Sequence, residues 1–383
     1  MSDSKTFKRR KVFISEALRK NKFFSGAVSF VLSVCVFVIR KIFLMKKADN
    51  EKVAVIVMRK LGDAVFTIPA IKALRKHCKE NMVLICFEET KPIYKIVFED
   101  LDIITAGHDA FYFNDRLPKK SLIKTVAGLD AGVVIDLTGV ITSAAMLLFT
   151  RAKKIIGSNE DYFYPLYTKF IPAKKYSHLT EGYLEVVRNF LAYPEAEPDE
   201  EPEPELSSLC IILIHPFAGW RAKEWNLDKY IRLAAELNEE YDCRIIAPSG
   251  TISQEVSGEL IKNNLKYTLT TTVEELICEI KKSSLFISND SGPLHIAALL
   301  GKPTFTIFGP TDPSMHIPLG KNHRYVRKEI TCSPKPGEKF CFTNAGRNGC
   351  PSFECMNQLS FDEVLGSVER FVTSLGLTKK ISK

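Results

Sequence analysis

Short β-branched runs alternate with stretches in which apolar residues return every three or four positions. Val53–Met58 predicts a strand and Ala64–His77 the helix after it. Met82–Phe87, Asp102–Thr105 and Ala131–Leu137 predict further strands, with helices over Lys91–Phe98, Gly139–Arg151 and Thr180–Tyr193. Phe111–Lys124 and Tyr162–Lys175 show no clear period and read as loops with short helices. The alternation restarts with strands at Cys210–His215, Cys243–Pro248, Lys266–Leu269, Leu285–Ser288 and Thr304–Phe308. The intervening helices fall at Leu227–Tyr241, capped by Asn226, and at Gln254–Asn263, Val273–Lys282 and Leu294–Leu300, with a final amphipathic helix over Ser360–Leu375. Such alternation builds a parallel sheet covered on both faces. Two rounds of it predict an α/β chain of two Rossmann-like domains facing a cleft, with functional residues in the loops at the carboxyl ends of the strands.

Two segments stand outside this pattern. Phe23–Ile39 is an uncharged stretch of seventeen residues flanked by Lys5, Lys8, Arg9, Arg10, Lys11, Arg19, Lys20 and Lys22 on one side and Arg40, Lys41, Lys46 and Lys47 on the other. Gly26, Ser29, Ser33 and Arg40 form a thin polar stripe along it at helical spacing. Seventeen residues sit at the bottom of the spanning range, and basic clusters on both sides oppose a single span. Residues 1–50 therefore read as a basic, apolar helix that associates with the inner, cytoplasmic face of a membrane through residues 1–47. A helix packed on the body of the protein is the plainer alternative. The second segment, Pro194–Glu205, holds four Pro, seven acids and one Ala. It cannot bury a core and marks a linker over 194–208, between domains at 51–193 and 209–383.

Charge follows the same division. The 383-residue chain carries +8, but residues 1–47 hold +10 and the remainder sums to −2. The body is not basic, which excludes an ordinary nucleic-acid binder.

Three loops offer chemistry. In Met58-Arg59-Lys60-Leu61-Gly62-Asp63, Gly62 permits a tight turn, and Asp63 stands at a helix start, either as a cap or as a general base facing the cleft. The glycine pattern of a dinucleotide or P-loop site is absent. In His215-Pro216-Phe217-Ala218-Gly219-Trp220-Arg221-Ala222-Lys223-Glu224-Trp225, Ala218 and Gly219 leave backbone amides approachable and Lys223 can place a charge on a phosphate. Trp225 reads as packing and His215 as a core histidine more readily than a ligand. In Asn289-Asp290-Ser291-Gly292-Pro293-Leu294-His295, cap residues and Pro open a helix whose orphan amides suit a pyrophosphate, with His295 in its first turn. Gly309-Pro310-Thr311-Asp312-Pro313 supplies another loop at the same edge.

Together these stretches resemble glycosyltransferase family 9, the heptosyltransferases of lipopolysaccharide core synthesis. The resemblance rests on Gly62-Asp63 with Pro69-Ala70, on His215-Pro216 with Lys223-Glu224-Trp225, on Asp290-Ser291-Gly292-Pro293-Leu294-His295, and on Gly301-Lys302-Pro303 and Gly309–Pro313. It implies a GT-B fold and an inverting, metal-independent transfer from ADP-heptose to a lipid-linked saccharide. By position, Asp63 would be the base, supported by Gly62 and Arg59. Lys223, Ser291, Gly292 and His295 would hold the diphosphate, Asp290 the donor sugar, and Gly219 and Thr311 would complete the donor site.

Cys332, Cys341, Cys350 and Cys355 cluster in a Gly/Pro-rich stretch without a Cys-x-x-Cys pair. Free thiols, a bound metal and disulfides all stay open for them. Two rivals to the transferase are a nucleotide-sugar epimerase or hydrolase of the same fold, which needs no acceptor, and a non-catalytic membrane-tethered scaffold.

Overall fold

The computed structural model describes residues 22–39, 48–110, 118–191, 210–341, 350 and 352–380. The basic flanks at 1–21 and 40–47 and the expected linker at 194–208 lie outside them. The first half contains strands β1 (Val53–Val57), β2 (Met82–Phe87), β3 (Asp102–Ala106), β4 (Val133–Asp136), β5 (Lys154–Gly157) and β6 (Lys169–Phe170). Its helices are α1 (Lys22–Val38), α2 (Leu61–Cys78), α3 (Lys91–Val97), α4 (Lys120–Ala127), α5 (Ile141–Leu147) and α6 (Leu179–Leu191). The second half contains β7 (Ile211–His215), β8 (Asp242–Pro248), β9 (Lys266–Thr270), β10 (Leu285–Asn289), β11 (Thr304–Phe308) and β12 (His323–Arg327). Its helices are α7 (Leu227–Glu240), α8 (Gln254–Lys262), α9 (Val273–Lys282), α10 (Gly292–Leu299), α11 (Pro313–His316), α12 (Glu354–Asn357) and α13 (Phe361–Ser374).

Each half forms one six-stranded sheet, in the orders β3-β2-β1-β4-β5-β6 and β12-β11-β10-β7-β8-β9, and every pairing is parallel. Parallel strands need crossovers, and the helices that supply them cover both faces. All five residues of β1, β7, β10 and β11 are accordingly buried. The first sheet carries an apolar cluster on each side. One of these continues into the second half, so that Val57, Ile68 and Leu74 share a cluster with Ile277, Phe286 and Ile296. This shared core sets α2 against α10 and fixes the carboxyl edges of the two sheets toward each other.

The expectation of two Rossmann-like sheets holds. Three strands were not anticipated: β5 and β6 fall where the pattern is short or suggests loops, and β12 (His-Arg-Tyr-Val-Arg) lies at a sheet edge, where polar residues are tolerated. Helix α1 covers most of the expected apolar stretch and rests on the short 3-10 segment Asp161–Leu166, with Ser29 buried between them. Among the described residues no helix is long and apolar enough to cross a membrane.

Candidate functional site

The cleft is built by three loop-to-helix junctions. β1 ends at Val57, and α2 begins at Leu61 with Gly62 and Asp63 in its first turn. The preceding residue, Lys60, provides no side-chain cap. Across the cleft β10 ends in Asn289 and leads through Asp290 and Ser291 into α10. The two helix starts touch. A Cβ on Gly62 would lie 2.9 Å from Cδ2 of His295, and a Cβ on Gly292 would lie 2.8 Å from that of Leu61. Glycine is needed at both places because the helix starts meet there. Asp63 and the Asp290–His295 loop, read separately in sequence, therefore flank one cleft.

Asp290 is the electrostatic centre of the second-domain side. It is buried, receives a 2.5 Å ion pair from Nζ of Lys223 and a 2.7 Å hydrogen bond from Oγ1 of Thr311, and lies 3.7 Å from Nε2 of His295. Burial alone would raise its pKa, but Lys223 and the neighbouring histidines hold it well below the usual carboxylate range. Lys223 also sits over the Trp220 ring, 4.9 Å from its centroid. Asp290, Lys223, Thr311 and His295 thus form one connected cluster drawn from three loops. His295 is buried against Phe66, with ring centroids 4.5 Å apart, and Phe66 meets His178 on its other side at 5.4 Å. His178 in turn pairs with the carbonyl of Ile317 at 2.9 Å, a second tie between the halves.

Ser291 precedes α10 with an extended backbone and offers no side-chain cap. Its Oγ is buried and has no partner among the described residues. An uncapped helix start with its dipole directed at the cleft is suited to an anion. The lysine loop is clamped from below. Asn289 accepts from the backbone N–H of Trp225 at 3.1 Å and from the hydroxyl of Tyr230 at 3.0 Å, and donates to the carbonyl of Pro216 at 2.7 Å. Trp225 is buried, as expected, and donates Nε1–H to the carbonyl of Leu359.

Other expectations for this loop change. The amide of Ala218 is not approachable, because it donates to Oε1 of Glu224 at 3.0 Å. Gly219 faces open space, with no atom within 4 Å of where a Cβ would stand. His215 is a buried core residue beside Phe286, and burial lowers its pKa to about 4. The Thr311–Asp312 loop is tied to the chain that follows β12: the amide of Gly337 donates to Oδ2 of Asp312 at 2.8 Å and the amide of Cys341 to the carbonyl of Pro310 at 2.8 Å.

A cavity of about 590 Å³ opens at the carboxyl edge of the first sheet. Arg59 is the one anticipated residue that lines it. Its guanidinium lies over the Tyr183 ring, 5.7 Å from the centroid, and its Nε is buried without a partner among the described residues. Burial opposes the charge of Arg59, yet Tyr183, Asp63 and Asp136 together raise its pKa. Tyr183 is pushed up to about 12 by burial, with Asp63 adding to the effect. Lys174, Lys175 and Tyr176 from the first half and Met315 and Lys339 from the second also line the cavity. Sequence reasoning missed this group; the paired Lys174-Lys175 in an aperiodic stretch was the available signal. Asp136, on the same wall, is held rigid by hydrogen bonds from Ser143 and Tyr167 at 2.8 and 2.6 Å.

The four clustered cysteines converge on a separate cavity of about 130 Å³ beside Gly309 and Pro310. All four are free thiols, and the amide of Phe353 donates to Sγ of Cys350 at 3.3 Å. Among the described residues no three His, Cys, Asp or Glu are arranged to hold a metal ion.

The profile of glycosyltransferase family 9 (heptosyltransferase) matches residues 120–344. Lipooligosaccharide heptosyltransferase 2 of Campylobacter jejuni (serotype O:6) is 24% identical over 82% of this chain and 96% of its own length. ADP-heptose lipopolysaccharide heptosyltransferase II of E. coli superposes with a TM-score of 0.65 at 18% identity, covering 84% of this chain and 99% of that one. The E. coli heptosyltransferase WaaC, solved with ADP-2-deoxy-2-fluoro heptose, gives 0.60 at 18% identity over 83% and 99%. The two facing parallel sheets, the helix starts that meet across them and the match over more than half the sequence lead to one assignment: this chain belongs to glycosyltransferase family 9 and is a glycosyltransferase of GT-B fold.

Proposed function

We propose that this enzyme is an inverting heptosyltransferase that moves heptose from ADP-heptose to the saccharide core of a lipopolysaccharide, working at the cytoplasmic face of the inner membrane. The observation that carries the reading is the contact of Gly62 with His295, by which the first turn of α2, the turn that holds Asp63, meets the start of α10 in the other half. The relatives named for ADP-heptose and lipooligosaccharide chemistry support the donor and acceptor classes.

In this reading the diphosphate lies at the start of α10. Ser291 Oγ and the Gly292 amide donate to it, and the two remaining ammonium protons of Lys223 offset its charge. Asp290 holds Lys223 in place and faces the donor sugar, with Gly219 and Thr311 completing that side. The acceptor saccharide occupies the cavity around Arg59, whose cationic lining of Arg59, Lys174 and Lys175 suits a carboxylate- or phosphate-bearing sugar. Asp63 removes the proton of the acceptor hydroxyl as its oxygen forms the new bond to the anomeric carbon. The bond from that carbon to the diphosphate breaks on the opposite face, and ADP leaves with the bonding pair. Lys223 and the helix start neutralise the leaving group in place of a divalent cation.

The test is Asp63→Asn. Transfer falls by about a thousandfold, the scale of losing a positioned base and its charge, while ADP binding measured by calorimetry is unchanged. Chelation of divalent cations leaves the wild-type rate intact. An Asp63→Asn enzyme that transfers at the normal rate refutes the assignment of the base, and sugar turnover without acceptor refutes the transferase reading.

A further inference from the structure

Helix α1 turns its polar positions inward. Ser29 is only 8% exposed and donates its hydroxyl to the carbonyl of Tyr162 at 3.2 Å, while the Ser33 hydroxyl is absorbed by the carbonyl of Ser29 at 2.9 Å. Val36 packs on the apolar cluster of the first sheet. The outward side carries Phe30 (71% exposed), Val31, Val34, Phe37 (62% exposed) and Val38. At 100° per residue these five fall on one continuous arc. The helix has 17 residues, roughly 26 Å at 1.5 Å per residue, against a hydrocarbon thickness of about 30 Å.

The support beneath the helix connects it to the cavity around Arg59. Ser158, Asn159 and Glu160 line that cavity, and the chain then runs directly into the 3-10 segment Asp161–Leu166 on which α1 rests. Tyr164 on that segment is exposed, as are Val140 and Ile141 at the start of α5. Val140 lies on the cavity wall itself. Apolar exposure thus occurs on the helix, on its support and at the cavity rim.

We propose that α1 lies in the plane of an anionic lipid surface, with the Phe30–Val38 side among the acyl chains. The helix then holds the mouth of the Arg59 cavity where a membrane-borne saccharide stands. This rests on the acceptor reading above and adds the docking face and its orientation. Charge selects the occupant. Eight Lys/Arg lie within residues 5–22 and four within 40–47, against two acids in residues 1–47. Two copies of so basic a segment repel each other, whereas anionic headgroups attract it.

The experiment uses the full chain and vesicles of phosphatidylethanolamine with or without phosphatidylglycerol. Wild-type protein sediments with the anionic vesicles, is released by salt or alkaline carbonate, and binds the neutral vesicles weakly. The variant Phe30→Asp, Val31→Asp, Val34→Asp loses about tenfold or more of the anionic-vesicle binding. Its melting temperature is unchanged because the replaced side chains face outward. It transfers sugar to a deacylated, water-soluble acceptor at the wild-type rate and to vesicle-embedded acceptor more slowly.

Vesicle binding by the variant equal to wild type overturns the proposal. So does a variant that only converts a dimer to a monomer, or a wild-type protein that resists alkaline extraction. Failure of wild type to act on the soluble acceptor would refute the acceptor reading, and the vesicle measurement would still decide the docking face.

Discussion

Lys223 and Asp290 must each be matched, because neither charge is well solvated. Replacing Asp290 by Asn leaves the lysine buried without its counter-ion, a loss on the order of 3 kcal/mol at neutral pH. The folded-state pKa of Asp290 lies below its unfolded value, so this stabilisation is complete above roughly pH 4 and is lost as the pH falls further. Urea unfolding near neutrality and near pH 3 should show a wide gap between wild type and Asp290→Asn that narrows in acid. At this scale the sequence order marked the loops that meet, a carboxylate after a glycine, a lysine in a facing loop and polar residues before a helix, although Ser291 caps nothing and Asp290 pairs with Lys223 and Thr311 instead. The partners of such residues were not legible. Nothing local in Ala218 says that Glu224 takes its amide, and nothing local in Arg59 says that Tyr183, over a hundred residues away, supplies the ring beneath it. Such contacts are decided by tertiary packing, which a linear pattern carries only indirectly.

Helices α2 and α10 approach so closely that each contributes a glycine to the meeting point. Gly292→Ala places a methyl carbon against Leu61, and an overpacked contact of this kind costs about 1–3 kcal/mol. In the proposed mechanism the same contact sets Asp63 against the diphosphate, so kcat should fall by about tenfold or more while the KM for donor changes less. Steady-state kinetics and thermal melts on the same protein would check both. Most elements were legible from periodicity, and Asn226 from cap chemistry: its side chain accepts from the amides of Asp228 and Lys229. The missed strands share a physical cause. β5 has four residues, β6 has two, and β12 lies at an edge with Arg324 and Tyr325 exposed, so none leaves a long apolar run. What places them is the neighbouring strand, through hydrogen bonds that any sequence can make.

The whole molecule should be less stable in mild acid than its carboxylates alone require. His215 and His323 are both buried in the second half, and burial lowers each to about 4. An unfolded histidine titrates near 6.5, so between about pH 6.5 and 4 the unfolded chain binds more protons and stability falls as the pH is lowered. Urea midpoints should decline across that window, and His323→Gln should make the decline shallower. The division of the chain into two α/β halves was legible because the alternation restarts. The shared core that joins them was not, since Ile277 and Ile296 look like any helix interior until α3 lies against the helix of the first and α2 against that of the second. Strand order has a consequence for biosynthesis. In each sheet the strand nearest the amino terminus, β1 or β7, is central, and every later strand adds to an edge that already exists. No strand has to be inserted between two that have already paired. A chain leaving the ribosome can therefore extend each sheet in the order it is made, first to one side and then to the other. The first sheet can be complete once Phe170 has emerged, before any strand of the second emerges. Helix α1, made before either sheet, finds its seat on Asp161–Leu166 only near the end of that sequence.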